Sequence, residues 1–146
     1  MPPIDWSYLF LSFDGRIGRR LFWIGFVVAA GADLVCRILV YQFDDGARMS
    51  PIVSLAFLYP EFAVFAKRGQ DRDISVYIPG AFFLLSTVLD FLVILGLGGS
   101  LDAPSAVLLM LAFPWMIFAL ALLFELGLRP GTPGPNRYGP DPLARP

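Results

Sequence analysis

Four long apolar stretches restrict what this chain can fold into more than any other feature of its sequence. They cover residues 21–43, 50–66, 76–97 and 104–128. A helix that crosses a bilayer needs about 20 mainly apolar residues, within a range of roughly 17–25. Because 57% of the chain is hydrophobic and only 16% is charged, a soluble domain of this size would lack the polar surface to cover itself. The sequence therefore predicts an all-α integral membrane protein, a compact bundle of four transmembrane helices.

Basic residues are distributed unevenly around the four stretches. The segments before the first stretch, between the second and third, and after the fourth contain nine lysines and arginines, whereas the other two loops contain only Arg48. Since basic residues collect in cytoplasmic loops, this asymmetry predicts that both termini and the second loop are cytoplasmic. An even number of crossings follows. It favours a spanning second stretch over a re-entrant or tilted one, although that stretch is short and contains Pro60 and Glu61.

The segment before the first stretch is rich in aromatic residues. Residues 6–13 predict a short N-terminal helix that either lies in the membrane interface or covers the end of the bundle, and both interpretations stay open. A cleaved signal peptide that ends near residue 32 is a weaker alternative. Asp5 and Asp14 precede the apolar run, and the run continues to Phe43.

The C-terminal segment differs from the rest of the chain. Residues 129–146 contain six prolines and three glycines, a density that excludes a regular helix and is typical of a disordered end. We therefore expect a single transmembrane domain over residues 1–128, followed by a Pro/Gly-rich cytoplasmic tail over residues 129–146.

The composition excludes several kinds of chemistry. The chain has no histidine, which excludes histidine-dependent catalysis and histidine metal ligands. Its one cysteine, Cys36, cannot form an intrachain disulfide or a thiolate metal cluster and is expected to be a packing residue. A net charge of −1 argues against a nucleic-acid partner. We expect no catalytic residues, no metal and no cofactor, and therefore a protein that is not an enzyme.

Each apolar stretch carries one acidic residue, and each acid at mid-bilayer costs about 2.5–3.5 kcal/mol on insertion scales. Asp33 and Arg37 are four residues apart and share a helix face. At about 1.5 Å per residue, Asp90 falls at a similar depth. The spacing predicts an intramembrane ion cluster of Asp33, Arg37 and Asp90. This cluster is either a staple between helices or a relay for protons or cations.

The other two acids are expected near the cytoplasmic boundary. By the same helical rise, Glu61 and Glu125 come within reach of Lys67 or Arg129. The basic residues at this boundary have two interpretations. They orient the protein and attract anionic headgroups, or they build a polar pocket together with the second loop and the tail.

Three segments together resemble one known family. Residues 15–23 match the pattern G-R-x-x-R-x-x-[F/Y]-W, residues 67–75 resemble K/R-R-x-H-D-x-x-x-S, and residues 134–142 match G-x-N-x-Y-G-x-D-P. In this order and spacing the chain resembles the DUF805 family, small inner-membrane proteins of bacteria. Gln70 stands where the family has histidine, so any role that requires an imidazole is missing here.

The resemblance implies a bacterial inner-membrane location, about four spans and a docked turn in the tail. It also implies a cytoplasmic polar cluster that contains Arg16, Arg19, Arg68, Asp71, Asn136 and Tyr138. It supplies no activity.

Two functions follow from the sequence. The first is a non-enzymatic structural, adaptor or regulatory role in the membrane. The alternative is a small transporter, channel subunit or lipid-handling protein that uses the intramembrane acids Asp33, Glu61 and Asp90. The expected partners are the lipid bilayer, with anionic headgroups at its cytoplasmic face, and a second copy or another membrane protein.

Overall fold

The computed structural model describes residues 3–43, 46–100 and 102–144. Five α-helices follow one another along the chain, and the last continues into a π-helical turn. Their bounds are α1, Trp6–Leu11; α2, Arg19–Val40; α3, Gly46–Asp71; α4, Tyr77–Ile94; α5, Ala106–Leu122; and the π-helical turn, Leu123–Leu128. Four of these segments are long and apolar enough to cross a membrane. The prediction of an all-α membrane protein with four spans and a short N-terminal helix is confirmed.

Helix α3 lies at the centre of the bundle and packs against α1, α2 and α4. It is longer than the second apolar stretch suggests, because it continues past residue 66 through the polar residues up to Asp71. Pro51 and Pro60 lie inside this helix without ending it. Neighbouring helices allow this, since their packing and side chains compensate for the hydrogen bonds that proline removes.

Aromatic rings fill the space between the helices. Phe65 of α3 contacts Phe22 of α2 and Phe83 of α4, each in an edge-on arrangement with 5.3 Å between ring centroids. Such edge-to-face pairs stabilise a core beyond their buried area. Gly25 of α2 lets the backbones approach here, because a Cβ atom at this position would lie only 2.9 Å from the Cγ2 atom of Val64. The core is therefore densest around the second half of α3.

Helix α1 covers one end of the bundle. The carboxylate of Asp5 caps the helix by accepting a hydrogen bond from the amide of Tyr8 at 3.0 Å. Leu9 is buried in the core, whereas Trp6 and Leu11 are exposed. One face of α1 thus packs on α3, and an aromatic and aliphatic face remains outside. We call this end of the bundle, where α1, residues 67–72 and the tail meet, the basic end.

Candidate functional site

Two groups of polar side chains stand out, one at the basic end and one between the helices. At the basic end, Asp71 lies at the last residue of α3 and pairs with two arginines. Arg16 approaches it at 3.0 Å from the N-terminal segment, and Arg68 approaches it from one turn earlier on α3. The side chains of Arg16 and Asp71 are 1% and 3% exposed. A buried carboxylate is tolerated here because it has both charge partners and hydrogen bonds.

The two arginines also bind the backbone of the C-terminal tail. Arg16 donates to the carbonyl oxygens of Thr132 and Gly134, both at 2.7 Å, and to that of Gly139 at 3.2 Å. Arg68 donates to the carbonyl of Leu126 in the π-helical turn at 2.6 Å and to that of Arg129 at the start of the tail. A segment rich in proline forms few hydrogen bonds of its own, so its carbonyls need outside donors. We call these contacts of Arg16, Arg68 and Asp71 the tail clamp.

Other residues that the sequence pointed to lie around the tail clamp. Asn136 donates from its side chain to the carbonyl of Gln70 at 2.9 Å, and Arg19 donates to the carbonyl of Leu128 at 3.1 Å. Tyr138 is half-buried. Its amide donates to the side-chain oxygen of Asn136 at 2.9 Å. The structure thus places Asn136 against the second loop, Arg19 beside the π-helical turn and Tyr138 inside a tight turn of the tail.

Sequence reasoning missed two tail residues of this cluster. The amide and the hydroxyl of Thr132 both donate to the backbone carbonyl of Asp71, at 2.8 and 3.1 Å. Gly131 lies against the Asp71 carboxylate, where a Cβ atom would come within 2.7 Å of Cγ. The sequence near these residues offers one hint, the small residue Gly131 between Pro130 and Pro133. This hint does not indicate a contact with α3.

Lys67 has a different role from the expected one. Its ammonium group is fully buried and donates to the carbonyls of Tyr8, Leu9 and Ser12 at the end of α1. A cation is favourable at a helix C-terminus, where the last carbonyls have no partner within the helix. Lys67 therefore holds α1 on the bundle and does not approach Glu61.

Glu125 has one partner that was expected, Arg129, and one that was not, Arg72. Its carboxylate pairs with Arg129 at 2.8 Å and with Arg72. The pair with Arg72 joins the π-helical turn to the second loop. Glu125 is therefore a contact between segments at the basic end.

The second polar group lines a cavity of about 510 Å³ between the four long helices, which we call the bundle cavity. Its charged residues come from three helices. They are Asp33 and Arg37 from α2, Glu61 from α3 and Asp90 from α4. Aromatic rings of Phe65, Phe82 and Trp115 form part of its wall. The structure thus places Glu61 with the other intramembrane acids, away from the boundary position expected from its depth.

Arg37 has two polar partners in this cavity. It lies 3.8 Å from the carboxylate of Asp33 and donates to the hydroxyl of Ser54 at 2.8 Å. Ser54 in turn donates to Asp33 at 3.3 Å. Asp90 lines the same cavity, but among the described residues no hydrogen bond or ion pair joins it to Arg37. The three residues expected to form an ion cluster share one cavity, and only Asp33 and Arg37 pair directly.

The arrangement of the carboxylates limits the ions that they suit. In the described part of the chain, no three acidic or cysteine side chains are placed to hold one metal ion together. A dehydrated divalent cation requires such a converging set of oxygens. The three acids are instead spread over a mostly apolar lining.

Comparisons with known proteins agree with the resemblance in the sequence. The family model described as "Protein of unknown function (DUF805)" matches residues 10–140. Two proteins named "Uncharacterized protein YiiR", from Escherichia coli K12 and from Escherichia coli O157:H7, are each 33% identical to this chain over 130 residues, which cover 89% of this chain and 85% of the relative. No solved structure gives a significant match. With four membrane-spanning helices and a family match over most of its length, the chain belongs to the DUF805 family, a family of unknown function.

Proposed function

We propose that this membrane protein binds a small organic cation in the bundle cavity and serves as a small binding or transport protein. The observation that carries the proposal is the excess of acids in this cavity. Among the described residues, Asp33, Glu61 and Asp90 line the cavity together with one basic side chain, that of Arg37. Of the two functions that follow from the sequence, the cavity favours the alternative that uses the intramembrane acids.

Charged side chains inside a membrane raise the free energy of the folded protein unless opposite charges lie beside them. Each charged side chain at the middle of a membrane helix costs about 2.5–3.5 kcal/mol on insertion scales. Arg37 pairs directly with one acid, Asp33, which leaves two carboxylates in the lining. A bound cation would neutralise part of this excess. Intramembrane acids that face the interior of a bundle commonly mark an ion or substrate site.

The walls of the cavity suit an organic cation. Rings of Phe65, Phe82 and Trp115 lie in the lining, and aromatic faces attract ammonium groups. A volume of about 510 Å³ lies inside the range of roughly 300–1,000 Å³ that is typical of small-molecule sites. The site would therefore take a small amine or alkylammonium ion with a short apolar part.

The orientation and location are part of the same proposal. Nine basic residues in the terminal segments and the second loop, against one elsewhere between the spans, support cytoplasmic termini in a bacterial inner membrane. In this orientation the basic end faces anionic headgroups at the cytoplasmic surface. Residues 1–128 would form the transmembrane domain and residues 129–146 a tail that closes its cytoplasmic end. We assign no enzymatic step to either part.

A thermal-stability screen of the purified protein in detergent tests cation binding. We expect ethylammonium, ethanolamine or choline chloride to raise the melting temperature above that in sodium chloride of equal ionic strength. The Asp33→Asn and Asp90→Asn variants should lose this increase. Asp73→Asn is the matched control, because Asp73 lies outside the cavity and pairs with Arg137. Stabilisation that is equal in all four proteins would contradict a site in the cavity.

A regulatory adaptor is the second candidate, and the tail clamp favours it. The clamp holds a proline-rich segment in one shape and leaves Arg137 exposed at 60%. A fixed, exposed turn is suited to contact with another protein. Crosslinking in native membranes, compared between the wild type and Arg137→Ala, tests this role. A partner lost in the variant would favour the adaptor, and identical crosslinks in both would contradict it at this turn.

A further inference from the structure

The bundle cavity continues toward the end of the bundle opposite the basic end. A second cavity of about 810 Å³, which we call the distal cavity, lies between the end of α2, the start of α3 and the α4–α5 loop. Tyr41, Ser50 and Gly98 are among its lining residues. Arg37 and Asp90 line both cavities. These two side chains therefore stand where the two spaces meet.

Arg37 is held much more loosely than the arginines of the tail clamp. Its side chain is 39% exposed, whereas that of Arg68 is 0% exposed. Its distance to Asp33 is 3.8 Å, at the outer limit of an ion pair. The one side-chain hydrogen bond found for it among the described residues goes to Ser54. A guanidinium has five donors, and within the described part of the chain one of those of Arg37 has an acceptor at hydrogen-bond distance.

We infer that Arg37 is a resident counter-cation that a ligand's ammonium group replaces at Asp33. This inference rests on the proposed function and adds to it the entry route and the class of ligand. The ligand would enter through the distal cavity and donate to Asp33 and Ser54. Arg37 would then turn toward Asp90, which already lines both cavities.

The groups that Arg37 now contacts define the kind of ligand that can replace its guanidinium. Asp33 offers a carboxylate and Ser54 a hydroxyl that now accepts an N–H group. A primary ammonium, or a secondary one with a single added methyl group, has the two N–H donors that these acceptors require, and its small size leaves room for a short chain beside the aromatic wall. Such a group occurs on free amines and on the headgroups of amine-bearing lipids. The inferred ligand is therefore a molecule that carries this ammonium group, from either source.

Calorimetric titration of ethanolamine into the purified full-length protein tests the replacement. Arg37→Gln removes the competing cation, so we expect it to bind ethanolamine about tenfold more tightly than the wild type, a change of ~1.4 kcal/mol. Arg37→Lys keeps the charge and should bind like the wild type. Asp33→Asn should not bind. Arg37→Met also removes the competing charge and should likewise bind more tightly than the wild type, which provides a second readout if Arg37→Gln does not fold.

The outcomes separate the inference from the proposed function. If the wild type binds but neither Arg37→Gln nor Arg37→Met binds more tightly, the counter-cation role is wrong while the binding function stands. If no variant binds any amine, the binding function itself is wrong. Repeating the titration in nanodiscs with phosphatidylethanolamine or with phosphatidylglycerol distinguishes the two sources. Competition by phosphatidylethanolamine alone would assign the site to a lipid headgroup, and equal binding in both would assign it to a free amine.

Discussion

The carboxylate of Asp71 occupies the space in which Gly131 would otherwise carry a side chain. A Cβ atom at Gly131 would lie 2.7 Å from Cγ of Asp71 and 2.8 Å from Oδ1. Real Cβ contacts are not this short, so one of the two segments would have to move. The tail can therefore dock only through a residue without a side chain, although it is 60 residues away along the sequence.

We expect Gly131→Ala to release the tail from the clamp. The added methyl group would displace either Asp71 from its arginines or the tail from Arg16. Hydrogen–deuterium exchange of peptides from residues 130–144 should rise in this variant. Gly69→Ala is the matched control at the same end of the bundle, because a Cβ there makes only ordinary contacts at 3.8 Å or more. Unchanged exchange in Gly131→Ala would mean that the tail does not dock against Asp71.

Arg16 should contribute more to tail docking than the neighbouring Arg19. In Arg16→Met the buried carboxylate of Asp71 loses one partner and three tail carbonyls lose their donor. Removing one partner of a buried ion pair costs about 3–5 kcal/mol. Because proteolysis tracks the population of the open form, trypsin cleavage after Arg137 should then accelerate by about a hundredfold to a few thousandfold.

Arg19→Met is the control for this cleavage experiment. Arg19 is exposed, and the hydrogen bond that it makes within the described residues goes to the carbonyl of Leu128. We expect its loss to change the cleavage rate little. Equal rates in the two variants would contradict the central place of Arg16 in the clamp.

Several features could be predicted from the sequence because they depend on neighbouring residues. Hydropathy over about 20 residues suffices to locate a span. The pair Asp33–Arg37 follows from i,i+4 spacing on one helix. The segments that form the tail clamp could be identified from their motifs, although their contacts could not.

Other features depend on how distant segments pack, and such contacts cannot be read from the residues next to each position in the sequence. Glu61 was expected near Lys67, yet the two residues are six positions apart on α3. This spacing places them about 9 Å apart along the axis and roughly 120° apart around it. Lys67 therefore faces α1, while Glu61 faces the bundle cavity. Gly131 and Thr132 were missed because their contact, Asp71, lies on another element.

Lys67→Met should weaken the attachment of α1. The variant keeps the length of the side chain but leaves the carbonyls of Tyr8, Leu9 and Ser12 without their shared donor. Hydrogen bonds to a charged group contribute about 1.5–3 kcal/mol each, so the melting temperature in detergent should fall by several degrees. Arg129→Met removes a half-exposed charge at the same end and should change it little. Equal melting temperatures in Lys67→Met and the wild type would contradict this role.

The turn of the tail should loosen only in acid. The amides of Leu143 and Gly134 donate to the Asp141 carboxylate and hold its pKa below the ordinary value of 3.8. A lowered pKa in the folded state gives stability above the ordinary value that is lost as the pH falls through the lowered pKa. Protection factors of residues 134–143 should stay constant from pH 7 to about 4.5 and fall below this range. In Asp141→Ala they should be low at every pH. A fall that begins near pH 6 would contradict the assignment to Asp141.

Photolabelling with a short alkylamine that carries a diazirine tests cation binding in the bundle cavity most directly. The amine should bring the carbene beside the cavity lining, so labels should appear in peptides that contain residues 33–37, 54–61 and 82–90. Excess ethylammonium should abolish these labels, and the Asp33→Asn/Asp90→Asn double variant should lack them. Labels confined to lipid-facing or tail peptides, or equal cavity labels in the double variant, would contradict the account.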